Sequence, residues 1–446
     1  MVAEIMDRRP EENIIGDIIV VGGGAAGVAA AVTAARQGFK IILIERYGFC
    51  GGGAVAGLSG TVCGLYLAQH NPNAVPDQIV FGFTQEFVEL LDRRGGLAEP
   101  IRYGNTYTRV HDPLVWREAA DQALTEAGVR VLYHALVIDT LLDGEAIAGV
   151  VVSARGGKIT VRGSMVVDAS GDAHVAAMAG LATTIGREGV VQNPTMIFRI
   201  AGVDVERFMR RYGPDTIMPS EVSALIREED AAGRYKLPRA KIFLFPTTRP
   251  GELLCNCTRI VGADGRELNP LRIADMAEAE LEGRRQMREY ARFFRDHLEG
   301  CKNAWVNDTG VEVGVRQGRQ ITGIETLTND DVERARKRPD GIARSAWPIE
   351  LHKGAVPRVS WLLNDYYEVP YGCFVPRRGE NILMAGRCLS AEHEAMASAR
   401  VTAQCFAYGH AIGHAAAFAL RERKQPRALD GAELRQILNA DGARLD

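Results

Sequence analysis

A run of mostly apolar residues, Asp17 to Val21, leads directly into Gly22-Gly23-Gly24-Ala25-Ala26-Gly27 and then into the small-residue stretch Val28 to Ala35. A strand, a G-x-G-x-x-G turn and a helix in unbroken succession constrain the fold more than any other feature of the chain. Gly22 permits the tight turn, Gly24 lets backbone approach a pyrophosphate, and Gly27 lets the helix lie close against the sheet. The unpaired N–H groups at the helix start, with the positive end of its dipole, then favour phosphate. Gly38 is a C-cap for that helix. A second strand, Lys40 to Ile44, ends on Glu45, about twenty positions past the glycines, where a carboxylate accepts from ribose hydroxyls. These residues predict an α/β fold with a parallel, Rossmann-like sheet and a bound dinucleotide, NAD and FAD being equally good at this point.

Arg46-Tyr47-Gly48-Phe49-Cys50-Gly51-Gly52-Gly53 follows at once. This E-R-x-x-x-x-G-G run resembles the glutathione-reductase-like superfamily of FAD flavoproteins, in which the glycines let backbone pass beside the pyrophosphate and ribitol. The resemblance implies FAD as cofactor, held by Gly22, Gly24, Ala25, Ala26, Gly27, Glu45, Arg46, Gly51 and Gly52. A second stretch, Met165 to Asp172, contains Ala169-Ser170-Gly171-Asp172 and resembles the superfamily's A-[ST]-G-D turn, which backs the first glycine loop. A third, Asn381 to Cys388, is a strand ending in Gly386-Arg387. Most of the superfamily has Gly-Asp there, with the Asp on the ribitol, so Arg387 implies a different contact. The continuation Gly386-Arg387-Cys388-Leu389-Ser390-Ala391-Glu392-His393-Glu394-Ala395, with Ser398, Arg400 and Val401, resembles one large subfamily of FAD-dependent oxidoreductases. The superfamily also implies that backbone near Leu136 and Val137 holds the adenine.

The 446 residues allow two or three domains, and 46% apolar with 24% charged residues is ordinary for a globular protein. A net charge of −3 carries no footprint for nucleic acid. Residues Met1 to Asn13 lack the apolar core of a secretory signal, and the apolar window Ile18 to Ala35 is explained by the strand and glycine loop rather than a membrane span. A cytoplasmic location is therefore expected. Eight cysteines lack a disulfide or zinc spacing; Cys255 and Cys257, on one face of a strand, read as buried thiols, and no metal site is expected. Cys50 has no C-x-x-x-x-C partner, Cys63 being too distant, which argues against thiol–disulfide chemistry.

Along the chain, helices are predicted at Thr84–Arg94 and Pro113–Ala127. Strands at 130–142, 146–154 and 158–162, separated by Asp143-Gly144 and Gly156-Gly157, predict a three-stranded antiparallel meander. Residues 14–187 form the first part of the FAD-binding domain and 188–365 an inserted α+β substrate domain. The FAD domain resumes at 366–425, and a helix in 426–446, opened by Asp430 with a reciprocal Glu433, ends the chain. Within the insertion, strands are expected at Thr195–Ile200, Lys241–Phe245 and Leu253–Val261, with a long helix from about Pro270 to Leu298.

For catalysis, a helix opening at Arg400-Val401-Thr402 and running through Ala416 follows the third motif, as in related flavoproteins. Its N-terminus would stabilise negative charge on a reduced flavin. Arg400 either adds positive charge there or serves as an ion-pair partner. His393, in a loop after the Gly386 strand, is the candidate for proton transfer, with Glu394 orienting it or capping the next turn. Val315-Arg316-Gln317-Gly318-Arg319-Gln320-Ile321 resembles the subfamily's V-R-x-x-R-x-I element; Arg316 and Arg319 either clamp a carboxylate or phosphate or tie two domains together. Tyr66 and Cys63 either approach the flavin face or belong to the core. No second strand–G-x-G-x-x-G–helix follows, so electrons leave to oxygen, a quinone, a protein or a visiting NAD(P). The expected partners are a small-molecule substrate and, at the simplest, a second copy in a homodimer. The leading reading is an oxidoreductase moving a hydride between a small polar metabolite and flavin N5. Alternatives are a flavin monooxygenase using NAD(P)H and oxygen, and a non-catalytic FAD-binding module.

Overall fold

The computed structural model describes residues 13–71, 74–351 and 358–446. The segment read for a secretory signal lies almost wholly outside these. Strands β1 (Ile18–Val21), β2 (Ile41–Ile44), β3 (Arg130–Leu132), β4 (Met165–Asp168) and β5 (Ile382–Met384) form one parallel sheet in the order β5-β4-β1-β2-β3. β1, β2, β4 and β5 are buried at every position, which is why they read as continuous apolar runs rather than as alternation. Helix α1 (Ala25–Arg36) leaves the β1 turn, and α2 (Thr402–Glu422), near the chain's end, packs along it. The approach is set by glycine. A Cβ on Gly409 would lie 2.1 Å from the Ala26 carbonyl oxygen, and one on Gly413 2.7 Å from that of Ala30.

The segment 130–142 is not one strand. It divides into β3 and a strand at Leu136–Asp143, with His134 between them at φ 53°. The break arises because β3 must end beside β2: Glu45 N–H donates to the Leu132 carbonyl and Ala135 N–H to that of Glu45. The second strand then pairs with Ala146–Ala154, and that with Gly157–Arg162; Asn13–Ile15 adds a fourth strand parallel to the last.

Residues 198–309 build an antiparallel sheet in the order Phe243–Pro246, Glu252–Asn256, Phe198–Ala201, Trp305–Thr309. The long helix spans Ile273–His297 and buries Met287, Tyr290, Phe293 and Phe294 against this sheet's own hydrophobic cluster. Cys255 and Cys257 are both fully buried, and all eight cysteines are free thiols. The strand expected to run on to Val261 stops at Asn256. The final helix, Gly431–Ala440, is capped by Asp430 accepting from Ala432 N–H; the reciprocal box forms instead at Thr328 and Asp331. Among the described residues no helix is long and apolar enough to cross a membrane.

Candidate active site

The C-terminal ends of β1, β2, β4 and β5 open into a cleft with about 1990 Å³ of atom-free space, part of it continuous with solvent. This is where ligands of open α/β sheets bind. One end of the cleft is made of backbone. Gly22, Gly24, Ala25 and Ala26 line it, and Gly24 caps α1 without any side-chain hydrogen bond to the first turn. Gly22 sits at φ 100°, where a Cβ would come within 2.5 Å of the Ala169 carbonyl. Gly27 lies behind the lining; a Cβ there would stand 1.8 Å from the Gly22 carbonyl oxygen. Gly51 and Gly52 pass in front, and Gly52 leaves no room for a Cβ against Gly24, 2.9 Å away. The result is an anion cradle of N–H groups at a helix start, sized for backbone approach alone.

Glu45 lines the same end. Burial pushes its carboxyl up from the usual carboxylate range, although Gly23 N–H donates to one oxygen at 2.6 Å and Tyr47 N–H to the other at 2.9 Å. Its carboxylate therefore also holds the glycine loop in shape. Arg46 ion-pairs with Glu312 across the cleft mouth. Leu136, Val137, Ala169, Ser170 and Gly171 line it too, and the Val137 carbonyl lies 3.0 Å from Nε2 of His174. Arg387, beside Gly386, donates to the Gly171 and Val315 carbonyls and pairs with Asp172 at 3.0 Å. The charge that replaces the usual Asp is thus matched by the acidic residue closing the Ala169-Ser170-Gly171 turn.

The other end is made of side chains. Tyr103, Phe245 and Trp347 wall it, with ring centroids of Tyr103 and Trp347 5.1 Å apart. Glu350 is buried at the cleft and accepts from the Tyr103 hydroxyl at 3.0 Å. Arg316 and Arg400 face the same space, and the start of α2 (Val401 and Thr402) enters between the two ends. α2 opens where expected but runs on to Glu422 rather than ending at Ala416. Burial, then the like charge of Arg400, drives the Arg316 guanidinium well below its usual range; burial likewise lowers Arg400. Cys63 lines the cleft with its thiol pushed up by burial to about 11, whereas Tyr66 is buried outside it.

Two expected site residues stand elsewhere. Arg319 is outside the lining and donates to the Asp172 carbonyl, so it does not clamp a ligand with Arg316. Arg319 begins a strand, Arg319–Ile321, paired with Thr183–Ile185, and its side chain is held there by the Asp172 carbonyl. His393 is the first residue of a helix, His393–Ala399, not a loop residue, and is also outside the lining. The start of that helix is tied away from the cleft, Glu394 pairing with Arg187 and accepting from Asn329. Tyr103, Trp347 and Glu350 were not singled out from sequence. Tyr103 stands far in sequence from Trp347 and Glu350, and the three share no motif, so no spacing signal marks them.

Solved structures of low identity are similar to this chain, one of them closely enough to share its fold. A geranylgeranyl bacteriochlorophyll reductase-like protein from Thermoplasma acidophilum is 15% identical with a TM-score of 0.51, covering 97% of this chain and 85% of that one. A flavin-dependent brominase is 13% identical (TM-score 0.48; 96% and 83% covered). A p-nitrophenol 4-monooxygenase from Pseudomonas putida is 12% identical (TM-score 0.48; 97% and 87% covered). The family model for FAD dependent oxidoreductases matches residues 17–438, nearly the whole chain. The chain therefore belongs to the FAD-dependent oxidoreductase family and is an enzyme whose cofactor is FAD.

Proposed function

We propose that the enzyme is a dehydrogenase or reductase of a small polar metabolite, in the glutathione-reductase-like subfamily marked by the Gly386-Arg387-Cys388 run, with FAD supplying hydride transfer at its N5 atom. Gly22, Gly24, Ala25, Ala26, Gly51 and Gly52 would hold the pyrophosphate, Gly27 keeping the turn closed. Glu45 and Arg46 would hold the adenosine ribose, and Leu136 and Val137 the adenine. Ala169, Ser170, Gly171, Gly386 and Arg387 would flank the ribitol, and the N–H groups after Val401 and Thr402 would face the flavin ring. Residues 188–365 would form the substrate domain, which fits the separate hydrophobic cluster built entirely from that segment.

The observation that carries this reading is a single cleft joining an N–H cradle to a walled pocket of ionisable side chains. Within that pocket the Tyr103 hydroxyl and the Glu350 carboxylate form a connected donor and acceptor beside the space a substrate would fill. We assign the proton on the reacting hydroxyl or amine to this pair in preference to His393, because a general base must reach the proton it takes. Two arginines and the start of α2 place positive charge at the same end, which favours negative charge developing there.

The test is anaerobic reduction of the bound flavin, read by bleaching of its absorbance, across a library of small metabolites. A dehydrogenase is reduced by one of them without NAD(P)H. Rapid NAD(P)H oxidation with substrate-triggered oxygen uptake would instead make it a monooxygenase. Bound FAD that neither metabolites nor NAD(P)H reduce would end the catalytic reading.

A further inference from the structure

Four arginines line the cleft, and they fall into two kinds. At the dinucleotide end Arg46 is paired with Glu312 and Arg387 with Asp172. At the other end, among the described residues, neither Arg316 nor Arg400 has a carboxylate within ion-pairing distance. Arg316 is only 7% exposed, and its Nη1 donates to the Asn193 carbonyl at 2.7 Å. Arg400 donates through Nη2 to the Gln192 amide oxygen at 3.2 Å, and its buried Nε has no hydrogen-bond partner. Buried guanidiniums are ordinarily paired, because a charge taken out of water without a counter-charge destabilises the fold. Two such groups facing one cavity are a site built for an anion that arrives with the substrate.

The anion's kind follows from its surroundings. Among the described residues Glu350 supplies one negative charge at this end, against two guanidiniums, so at least one positive charge is unbalanced. Arg239, outside the lining, adds to the positive field while its Nε donates to the Lys241 carbonyl and its Nη1 to the Asn256 amide oxygen. A resident carboxylate would repel a doubly charged phosphate, whereas a flat, singly charged group suits both the charge balance and the wall of Tyr103, Phe245 and Trp347. We propose that the substrate is a small organic acid bound as its carboxylate between Arg316 and Arg400, the rest of the molecule lying on the aromatic wall. This rests on the reading of this end as the substrate pocket.

The test titrates the FAD-loaded enzyme at constant ionic strength with benzoate, acetate, benzamide and inorganic phosphate, following the flavin spectrum and the melting temperature. Benzoate is expected to bind at least about tenfold more tightly than its neutral isostere benzamide, and more tightly than phosphate. Arg400→Gln and Arg316→Gln should each weaken benzoate about tenfold or more, with Arg400→Lys in between. Without ligand, both Gln variants should melt no lower than wild type, since each relieves a buried unpaired charge; a purely structural arginine would lower the melting temperature on removal. Equal binding of benzoate and benzamide, unchanged affinity in both Gln variants, or phosphate as the tightest ligand would overturn the assignment. Benzoate binding in an enzyme whose flavin no metabolite reduces would leave the carboxylate site standing and sink the dehydrogenase reading alone.

Discussion

The two ends of the cleft solve opposite problems. The end proposed for the dinucleotide is lined by backbone and by internally paired charges, and its shape demands the absence of side chains at Gly22 and Gly52. The other end presents side chains from five separate segments, and among the described residues its two arginines share the single carboxylate of Glu350 without an ion-pairing contact. At the first, the two lining arginines are each paired with a carboxylate. The second is left with excess charge, the usual condition of a site whose partner arrives from solution.

The harshest way to break this contrast is at the backbone end. Gly27→Val would place a side chain 1.8 Å from the Gly22 carbonyl, a collision with backbone that no rotamer relieves. We expect a loss of more than about 4 kcal/mol and no recoverable FAD-loaded protein, measured as the flavin-to-protein ratio after purification. Full flavin occupancy in this variant would show that the loop is not closed by steric fit. At the substrate end the expected effect falls on rate. Glu350→Gln should lower kcat by about 10²–10⁴, while His393→Ala stays within about tenfold. The reverse pattern would return proton transfer to His393.

A third experiment uses pH. His111 is fully buried against Trp116. Burial lowers its pKa from 6.5 to about 4, so the folded protein keeps the ring neutral while the unfolded chain takes a proton. The contribution is complete above pH 6.5 and is lost as pH falls from there towards 4, up to about 3 kcal/mol. His414, also lowered by burial, acts in the same direction. Melting temperatures measured across this range should show His111→Phe with a shallower acid slope than wild type, and parallel slopes would refute the argument. The smallest effect concerns the Arg387–Asp172 pair. A double-mutant cycle of Arg387→Gln and Asp172→Asn should give a coupling of about 1 kcal/mol in stability, as for a partly buried pair. No coupling would mean that the Asp-to-Arg change at this position is not compensated by Asp172.

Legibility in sequence followed the same division. The glycine loop, Glu45, the Ala169 turn and the Gly386 strand were readable because each is a local backbone requirement written in contiguous residues. Arg316 and Arg319 part because Arg316 faces the cleft while Arg319 opens a strand and donates to the Asp172 carbonyl. His393 was misplaced because the loop expected after Gly386 coils into a helix whose buried face, Ala395 to Ala399, turns inward. The strand from Arg130 was run through a left-handed residue, His134, which no residue type there announced.

What the sequence by itself determined was the parallel sheet, the glycine turn that opens its first helix, and FAD, since turn geometry and close approach depend on neighbours in the chain. What tertiary structure alone decided was the walled end of the cleft. Tyr103, Phe245, Arg316, Glu350 and Arg400 are brought together by packing of separate segments around one cleft. Which arginines there meet a carboxylate and which do not is a property of three-dimensional distances, for which a linear order of residues carries no record.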